Sequence, residues 1–359
     1  MPDSNPLQSQ SPLVTSPAPR KKAELATRGR MGSISGVQVT GIGTYVPENI
    51  VTNEDLAALG CDSEWIVRRT GIRERRHAAK DQVTSDMCYF AAKRCLESAG
   101  RSAADVDLVI VATMTPDYPS PSTACYLQNR LGAIAPAMDI SAACAGFMYG
   151  MLTAGQFVSS GNSQCALVVG ADLMSRSVDP TDVKTFPLFG DGAGAVILSP
   201  TPQGESSEVI SYQLCSEGSG ADMLRIAAGG TRRPLTPEAY LAGEQYMSMD
   251  GRGVFKWAVR VIDESIEQVL ADAGVAAEEI KLVVMHQANE RIIDSAVAGL
   301  KLPSEKVLMN LDRYGNTSAA SIPLVLDEAM QAGRIERGDL VLLCGFGAGL
   351  SWGTALVRW

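Results

Sequence analysis

Short apolar runs that recur at one spacing constrain the fold of this chain more than any other feature of its sequence. There are four of them, namely Val106–Ala112, Cys165–Gly170, Ile280–Met285 and Leu340–Cys344. A shift of about 172 to 175 residues lays the first two runs on the last two, so that Leu108 meets Leu282. Runs of this length are typical of buried strands, and an ordered series of matches indicates an internal duplication. For any single pair, chance similarity between buried strands is the alternative explanation.

Helix-length amphipathic segments alternate with these strands, which is the pattern of an α/β protein with buried strands. We predict two similar halves, residues 34–206 and residues 207–359, after an N-terminal tail of residues 1–33. The first thirty residues are rich in Ser, Pro and Gln and lack apolar periodicity, which favours a solvated tail. A transit peptide fits less well because of Asp3 and the early prolines. A true start at Met31 is a further alternative.

Composition excludes several classes of function. A net charge of −9 and a pI near 4.9 oppose nonspecific binding to nucleic acid. The apolar runs are too short to span a membrane, and the sequence has neither a metal-ligand spacing nor a nucleotide-binding glycine motif. Eight scattered cysteines without paired spacing indicate a reducing, cytoplasmic location.

Cys144 is the cysteine whose sequence context favours chemistry. It lies in Ser141-Ala-Ala-Cys-Ala-Gly-Phe147, ahead of a long apolar helix pattern that runs to Val158. A helix N-terminus carries partial positive charge and free N–H groups, which stabilise a thiolate and can hold an oxyanion. The pattern therefore predicts a nucleophile, held as a thiolate, at the start of a helix. A buried packing cysteine in an Ala/Gly-rich helix is the alternative.

His286 follows the run Ile280–Met285, at the carboxyl end of a predicted strand, where open α/β sheets place ligand chemistry. The chain has two histidines, and the charged run before His77 predicts that this second histidine is exposed. A purely structural role is the alternative for His286.

Asn316 falls on Cys144 when the halves are superimposed, so both side chains are expected where a strand gives way to a helix. The motif around it, Tyr314-Gly-Asn-Thr-Ser-Ala-Ala-Ser321, also fits an ordinary turn and helix cap. The glycine-rich run Gly345–Gly353 follows a strand, and such a loop lets backbone N–H groups face a reacting carbonyl.

Taken together, the motifs around Cys144, His286 and Asn316 resemble those of β-ketoacyl-acyl-carrier-protein synthase III in order and spacing. The resemblance runs from about Gly36 to Trp359 and includes Gly41–Pro47, Trp65–Arg75, Phe189–Ala195 and Trp352–Trp359. It implies a thiolase-like fold, in which two duplicated halves form an α-β-α-β-α five-layer sandwich, and it implies a homodimer.

The resemblance also implies a reaction. Cys144 would take an acyl group, acetyl in the first place, from acyl-coenzyme A. Malonyl on acyl carrier protein would lose CO₂ and attack the acyl-cysteine, giving 3-ketoacyl-carrier protein in the first condensation of type II fatty-acid synthesis. His286 and Asn316 would donate to the malonyl thioester oxygen, and the N–H groups of Cys144 and Ala348 would form the oxyanion hole. No resident cofactor is implied, because both substrates are thioesters.

The family's binding residues carry over position by position. Those for coenzyme A would be Trp65, Arg69, Arg176, Gly251 and Phe255, and those for acyl carrier protein Gln287, Arg291 and Lys256. The chain departs from relatives that carry a lysine pair on the helix after His286, since it has Ala298-Gly299 there. Two alternatives remain at this point: a specialised condensing or acyl-transfer relative in secondary metabolism, and a noncatalytic module that binds acyl thioesters. The complete Cys-His-Asn set argues against the second.

Overall fold

The structure is a computed structural model that describes residues 30–301 and 303–359. Within these ranges the strands are β1 (Arg30–Ile34), β2 (Val37–Tyr45), β3 (Asn49–Thr52), β4 (Glu74–His77), β5 (Leu108–Ala112), β6 (Ala137–Ile140), β7 (Ala166–Asp172), β8 (Gly192–Pro200), β9 (Glu208–Ser216), β10 (Leu224–Ile226), β11 (Met247–Met249), β12 (Leu282–Met285), β13 (Leu340–Gly347) and β14 (Ser351–Arg358). The α-helices are α1 (Ser63–Thr70), α2 (Thr84–Ala99), α3 (Thr123–Leu131), α4 (Gly146–Ser159), α5 (Pro237–Leu241), α6 (Gly251–Ala273), α7 (Glu290–Gly299), α8 (Leu311–Tyr314) and α9 (Ser321–Gln331). The four runs predicted to be strands are confirmed as β5, β7, β12 and β13.

Two five-stranded sheets of matching design dominate the described residues. The first has the order β2-β8-β7-β5-β6 and the second the order β1-β9-β14-β13-β12. Three corresponding strands of each sheet follow the same pattern, since β5 runs parallel to β7 as β12 runs parallel to β13, and β8 and β14 are then antiparallel to β7 and β13. Two short hairpin-like pairs, β3-β4 and β10-β11, lie outside the sheets.

The side chains of each strand alternate between two hydrophobic layers, as strand geometry requires. Leu108 and Ile110 pack with α4 and α9 in a central core that both sheets share. Val109 and Val111 point the other way, against α2 and α3. On the second sheet, Val283 and its outward neighbours pack against α6 and α7. The layers therefore run helix, sheet, helix, sheet, helix, which confirms the predicted five-layer α/β fold.

The longest helix of the described residues, α6, is amphipathic. It buries Trp257, Ile262 and Ile266 on one side and carries charged residues such as Arg260 and Glu264 on the other. No helix in the described ranges has both the length and the apolar content needed to cross a bilayer.

The duplication extends to the turns before α4 and α9. Each of these helices is preceded by a short 3-10 turn, residues 143–145 and residues 318–320. The first residue of each turn has a positive φ, 46° at Ala143 and 52° at Ser318. The shift at this point is therefore 175 residues, and Cys144 corresponds to Ala319. Asn316 lies just before its turn, so the predicted one-to-one match of Cys144 with Asn316 is wrong, although both lie at strand-to-helix junctions.

The predicted tail of residues 1–33 overlaps the first strand by four residues, so its predicted end is wrong. β1 begins at Arg30 and pairs antiparallel with β9 at the edge of the second sheet. Its last residue, Ile34, is buried in the central core. The physical reason is that β9 offers an open row of backbone hydrogen-bonding groups, which the sequence pattern of a short strand does not reveal. The rest of the predicted tail, residues 1–29, lies outside the described residues.

Candidate active site

Cys144 lies in the tight turn between β6 and α4, two residues before the helix begins. The positive φ of Ala143 costs about 1 to 3 kcal/mol for a residue with a Cβ, so it marks a backbone that its surroundings hold in place. Gly347 of β13 lies directly opposite, and a Cβ at that position would sit 2.8 Å from the Cys144 nitrogen. Only glycine allows this approach, which brings β13 against the backbone N–H of the cysteine.

Protonation of Cys144 is decided by two opposing effects. Burial raises the pKa of the thiol from 9.0 to about 12, and the Ser318 hydroxyl, 3.3 Å from Sγ, acts weakly in the opposite direction. That rise corresponds to about 4 kcal/mol, whereas a helix N-terminus stabilises a nearby anion by at most about 2 kcal/mol. The larger effect of burial favours the thiol as the resting form of Cys144, whereas the sequence pattern predicts a thiolate.

His286 follows β12, as predicted, and its backbone N–H donates to Cys344 O at 2.8 Å. Burial lowers the pKa of the imidazole to about 3, so the ring is neutral at physiological pH. Its Nδ1 lies 2.7 Å from the hydroxyl of Ser321, which also accepts from the Gln287 N–H at 3.4 Å. When the Ser321 hydroxyl donates to Nδ1, the imidazole carries its proton on Nε2. Such a ring is a hydrogen-bond donor toward a ligand.

Asn316 is held by its backbone and by one end of its side chain. Its N–H donates to Leu188 O at 2.8 Å, and its carbonyl accepts from Gly190 N at 3.1 Å. The side-chain Oδ1 accepts from Ser318 N at 2.9 Å. Because that N–H needs an acceptor, the amide orientation is fixed, and the NH₂ group is left for other partners.

Cys144, His286 and Asn316 line one cavity of about 930 Å³. The cavity is mostly apolar, and it also includes Ala348, next to the glycine that faces Cys144. The second histidine, His77, lies outside it in β4 and is half-buried, not exposed as its charged neighbours predict. A thiol, an imidazole and an amide thus line a single, largely apolar pocket.

Most of the residues assigned to coenzyme A also line this cavity. Trp65, Arg69, Gly251 and Phe255 all do, and the Arg69 guanidinium stacks 4.2 Å from the Trp65 ring. Arg176 does not line it. Its Nη2 donates to the carbonyls of Ala79, Lys80 and Gln82 at 2.7 to 3.0 Å, so the guanidinium closes a neighbouring turn instead.

The residues assigned to acyl carrier protein divide in the same way. Lys256 and Arg291 lie at the cavity, together with Lys184 and Arg252, which the sequence reasoning did not select. Gln287 is fully buried. Its side chain donates to Met285 O at 2.8 Å and accepts from Asn310 N at 3.2 Å. The prediction that Gln287 contacts a protein partner directly is therefore wrong, because its side chain is hydrogen-bonded to backbone groups inside the protein.

Three further polar residues support the site and were missed. Ser318 and Ser321 contact the cysteine and the histidine, and Asp172 lies beneath them, fully buried. The Asp172 carboxylate accepts from Met114 N at 2.8 Å and from Ala319 N at 3.2 Å, which fixes the turn before α9. Both serines stand in the motif around Asn316, but only the folded turn shows that Ser318 reaches the sulfur and that Ser321 reaches the imidazole.

Comparisons with known proteins agree with this geometry. Two family models match the chain, 3-oxoacyl-[acyl-carrier-protein] synthase III over residues 138–218 and the C-terminal part of the same enzyme over residues 270–359. A protein named beta-ketoacyl-[acyl-carrier-protein] synthase III from Rhodopirellula baltica is 63% identical over 345 residues, 92% of this chain and 100% of that protein.

Solved structures give the same result. The 3-oxoacyl-[acyl-carrier-protein] synthase III of Aquifex aeolicus is 42% identical with a TM-score of 0.82, over 90% of this chain and 100% of that one. The priming β-ketosynthase of the R1128 polyketide pathway is 35% identical with a TM-score of 0.83, over 91% of this chain and 98% of that one. With its five-layer duplicated fold and these relatives, the chain belongs to the β-ketoacyl-[acyl-carrier-protein] synthase III family.

Proposed function

We propose that this chain condenses acyl-coenzyme A, acetyl-coenzyme A in the first place, with malonyl-acyl carrier protein, releasing CO₂ and forming 3-ketoacyl-acyl carrier protein. It would thereby start type II fatty-acid synthesis. The observation that carries the proposal is that Cys144, His286 and Asn316 line one cavity, in which the imidazole is neutral. Thiol, neutral donor and amide are the groups that acyl transfer and decarboxylation need.

In the first half-reaction Cys144 attacks the thioester carbonyl of the acyl-coenzyme A. A bond forms between the cysteine sulfur and the acyl carbon, the bond to the coenzyme A sulfur breaks, and the cysteine proton ends on the departing thiol. The tetrahedral oxyanion needs backbone donors, for which the Cys144 N–H at the start of α4 and the N–H of Ala348 are our candidates.

In the second half-reaction the malonyl carboxylate leaves as CO₂, and negative charge develops on the thioester oxygen. His286 Nε2 and the Asn316 NH₂ group donate to that oxygen. The resulting carbanion attacks the acyl carbon, the bond to the Cys144 sulfur breaks, and the sulfur takes up a proton to regenerate the thiol. Neutral donors suit this step, because a charged imidazolium would be costly in a buried site.

The cavity's lining supports thioester substrates with an anionic carrier. The stacked pair of Trp65 and Arg69 would hold the adenine and phosphates of coenzyme A, and Gly251 and Phe255 would flank its pantetheine arm. Four more cations, Lys184, Arg252, Lys256 and Arg291, lie at the same cavity in a chain whose net charge is −9. We propose that they face the acidic acyl carrier protein.

We further propose that two copies of the chain form a homodimer in the cytoplasm. Each copy would consist of the halves 34–206 and 207–359. β6 ends the first sheet with a half-exposed edge, and the apolar side chain of Ile134, just before β6, is 95% exposed. An open strand edge beside exposed apolar surface favours pairing with a second copy. All eight cysteines are free thiols, which supports a reducing compartment.

The most direct test incubates the protein with acetyl-coenzyme A and measures intact mass. We expect a gain of one acetyl group on Cys144, absent in Cys144→Ala, and its loss on adding malonyl-acyl carrier protein with release of 3-ketoacyl product. A protein that binds acetyl-coenzyme A without acylation would be a binding module, and the proposal would fail.

A specialised priming role is the second candidate, because the R1128 priming synthase matches nearly the whole chain with a comparable TM-score. Offering acetyl-coenzyme A beside longer and branched acyl-coenzyme A, with malonyl-acyl carrier protein as extender, separates the two. Preference for acetyl supports fatty-acid initiation, whereas a strong preference for a longer starter supports the priming role.

A further inference from the structure

We propose that Arg75 is a positioning residue for Asn316, acting through residues 187–190, which grip the asparagine backbone. This inference rests on the proposed function, because it concerns the decarboxylating half-reaction assigned to Asn316. Arg75 lies in β4, outside the cavity, and has no contact with Cys144 or His286 among the contacts of the described residues.

Arg75 is completely buried, and no carboxylate of residues 30–301 or 303–359 forms an ion pair with it, which is unusual for a guanidinium. Its Nη2 donates to Pro187 O at 2.7 Å and to Asn53 Oδ1 at 2.8 Å, and its Nη1 donates to Val51 O at 3.2 Å. Burial lowers its pKa to about 10, so it remains a cation at neutral pH. Burying such a charge costs several kcal/mol, which indicates that its fixed fork of donors has a use in the fold.

The residues that follow Pro187 bind the backbone of Asn316. Leu188 O accepts the Asn316 N–H at 2.8 Å, and Gly190 N donates to the Asn316 carbonyl at 3.1 Å. Both backbone groups of Asn316 are therefore bound by the segment that Arg75 anchors at Pro187. A shift of this segment would carry the asparagine amide with it.

The backbone segments that contain Gly190 and Gly315 are closely packed against each other and against Arg75. A Cβ at Gly190 would lie 2.2 Å from Tyr314 O and 3.2 Å from the Arg75 Cβ. A Cβ at Gly315 would lie 2.9 Å from Leu188 O and 3.3 Å from the Arg75 Cβ. The two backbone segments thus meet directly over the arginine side chain, and nothing larger than hydrogen fits at either glycine.

Two variants perturb this arrangement, and a third variant serves as a matched control. Arg75→Lys keeps the charge but loses the fork, and Gly190→Ala forces the two segments apart. Gly192→Ala is the control, because a Cβ there meets its nearest atom at an ordinary 3.4 Å, two residues along in the same motif. For each purified protein we would measure acylation of Cys144 by intact mass and CO₂ release from malonyl-acyl carrier protein.

We expect both Arg75→Lys and Gly190→Ala to lower CO₂ release by about tenfold or more, since sub-ångström misplacement of a catalytic group has large effects on rate. Acylation should stay within about twofold of wild type, and Gly192→Ala should leave both half-reactions within about twofold. Equal loss of both half-reactions in Arg75→Lys and Gly190→Ala would show a general structural role and overturn the inference.

A double-mutant cycle supplies the decisive readout. If Arg75 acts through Asn316, adding Arg75→Lys to Asn316→Ala should change CO₂ release by less than about twofold, because the group it positions is gone. The same loss in both backgrounds would overturn the inference. Should Arg75→Lys fail to fold, Gly190→Ala carries the same cycle. Failure of the proposed function looks different: wild type would not be acylated, or Asn316→Ala would release CO₂ as fast as wild type.

Discussion

Alkylation of Cys144 as a function of pH tests whether burial or the helix N-terminus controls the nucleophile. Burial raises the pKa of this thiol to about 12, a change of about 4 kcal/mol from its ordinary value. The N-terminus of α4 offsets at most about 2 kcal/mol of this. At pH 7 the thiolate is therefore a minute fraction, and it grows about tenfold with each pH unit while the pH stays below the pKa.

The assay treats the protein with limiting iodoacetamide from pH 6.5 to 9.5 and quantifies alkylated Cys144 by peptide mass. Cys125, which is exposed, reports in the same samples that the reagent is active at each pH. We expect the Cys144 rate to rise about tenfold per pH unit across the range, without a plateau. Acylation by acetyl-coenzyme A should rise with pH in the same direction.

A Cys144 alkylation rate that levels off below about pH 8 would refute this reasoning. It would show that the helix N-terminus and the surrounding N–H groups outweigh desolvation, as the sequence pattern alone suggests. A Cys144→Ala protein, in which the modified peptide must disappear, excludes misassignment among the eight cysteines.

Three further outcomes follow from the same structure. His286→Ala and Asn316→Ala should each lower CO₂ release by about 10² to 10³ while acylation stays within a few fold, and equal loss of both steps would contradict the division of roles. Gly347→Ala places a Cβ 2.8 Å from the Cys144 nitrogen, so acylation measured by mass should fall at least about 10²-fold, and near-wild-type acylation would disprove this close approach. Asp172→Asn puts an NH₂ group where several donors converge and should lower the free energy of unfolding by about 3 kcal/mol in urea titrations; an unchanged midpoint would disprove the buried network.

Much of the architecture could be predicted because local patterns of apolar residues indicate it. Apolar runs such as Val106–Ala112 must be buried wherever the chain goes, and their repetition after about 174 residues implies two copies of one layered unit. The same holds for Cys144 and His286, whose places at a helix start and a strand end follow from the residues beside them.

What the sequence could not show depends on residues far apart in the chain. Gln287 belongs to a motif that suggests a partner contact, yet its side-chain oxygen accepts from the backbone N–H of Asn310, 23 residues later. Arg176 is likewise engaged by carbonyls almost a hundred residues earlier. Hydrogen-bond partners of this kind are chosen by the packing of distant segments, which no local pattern encodes.

The sequence by itself therefore determined the duplicated α/β layering, the family and the three residues proposed for the chemistry. Tertiary structure alone decided the protonation of these residues and the hydrogen bonds that hold them in position. Burial favours a thiol at Cys144 and a neutral imidazole at His286, and Arg75 donates to Pro187 O, more than a hundred residues away in the chain. The physical reason is that desolvation is a property of the assembled interior, so the protonation of a side chain is fixed only when every segment around it is in place.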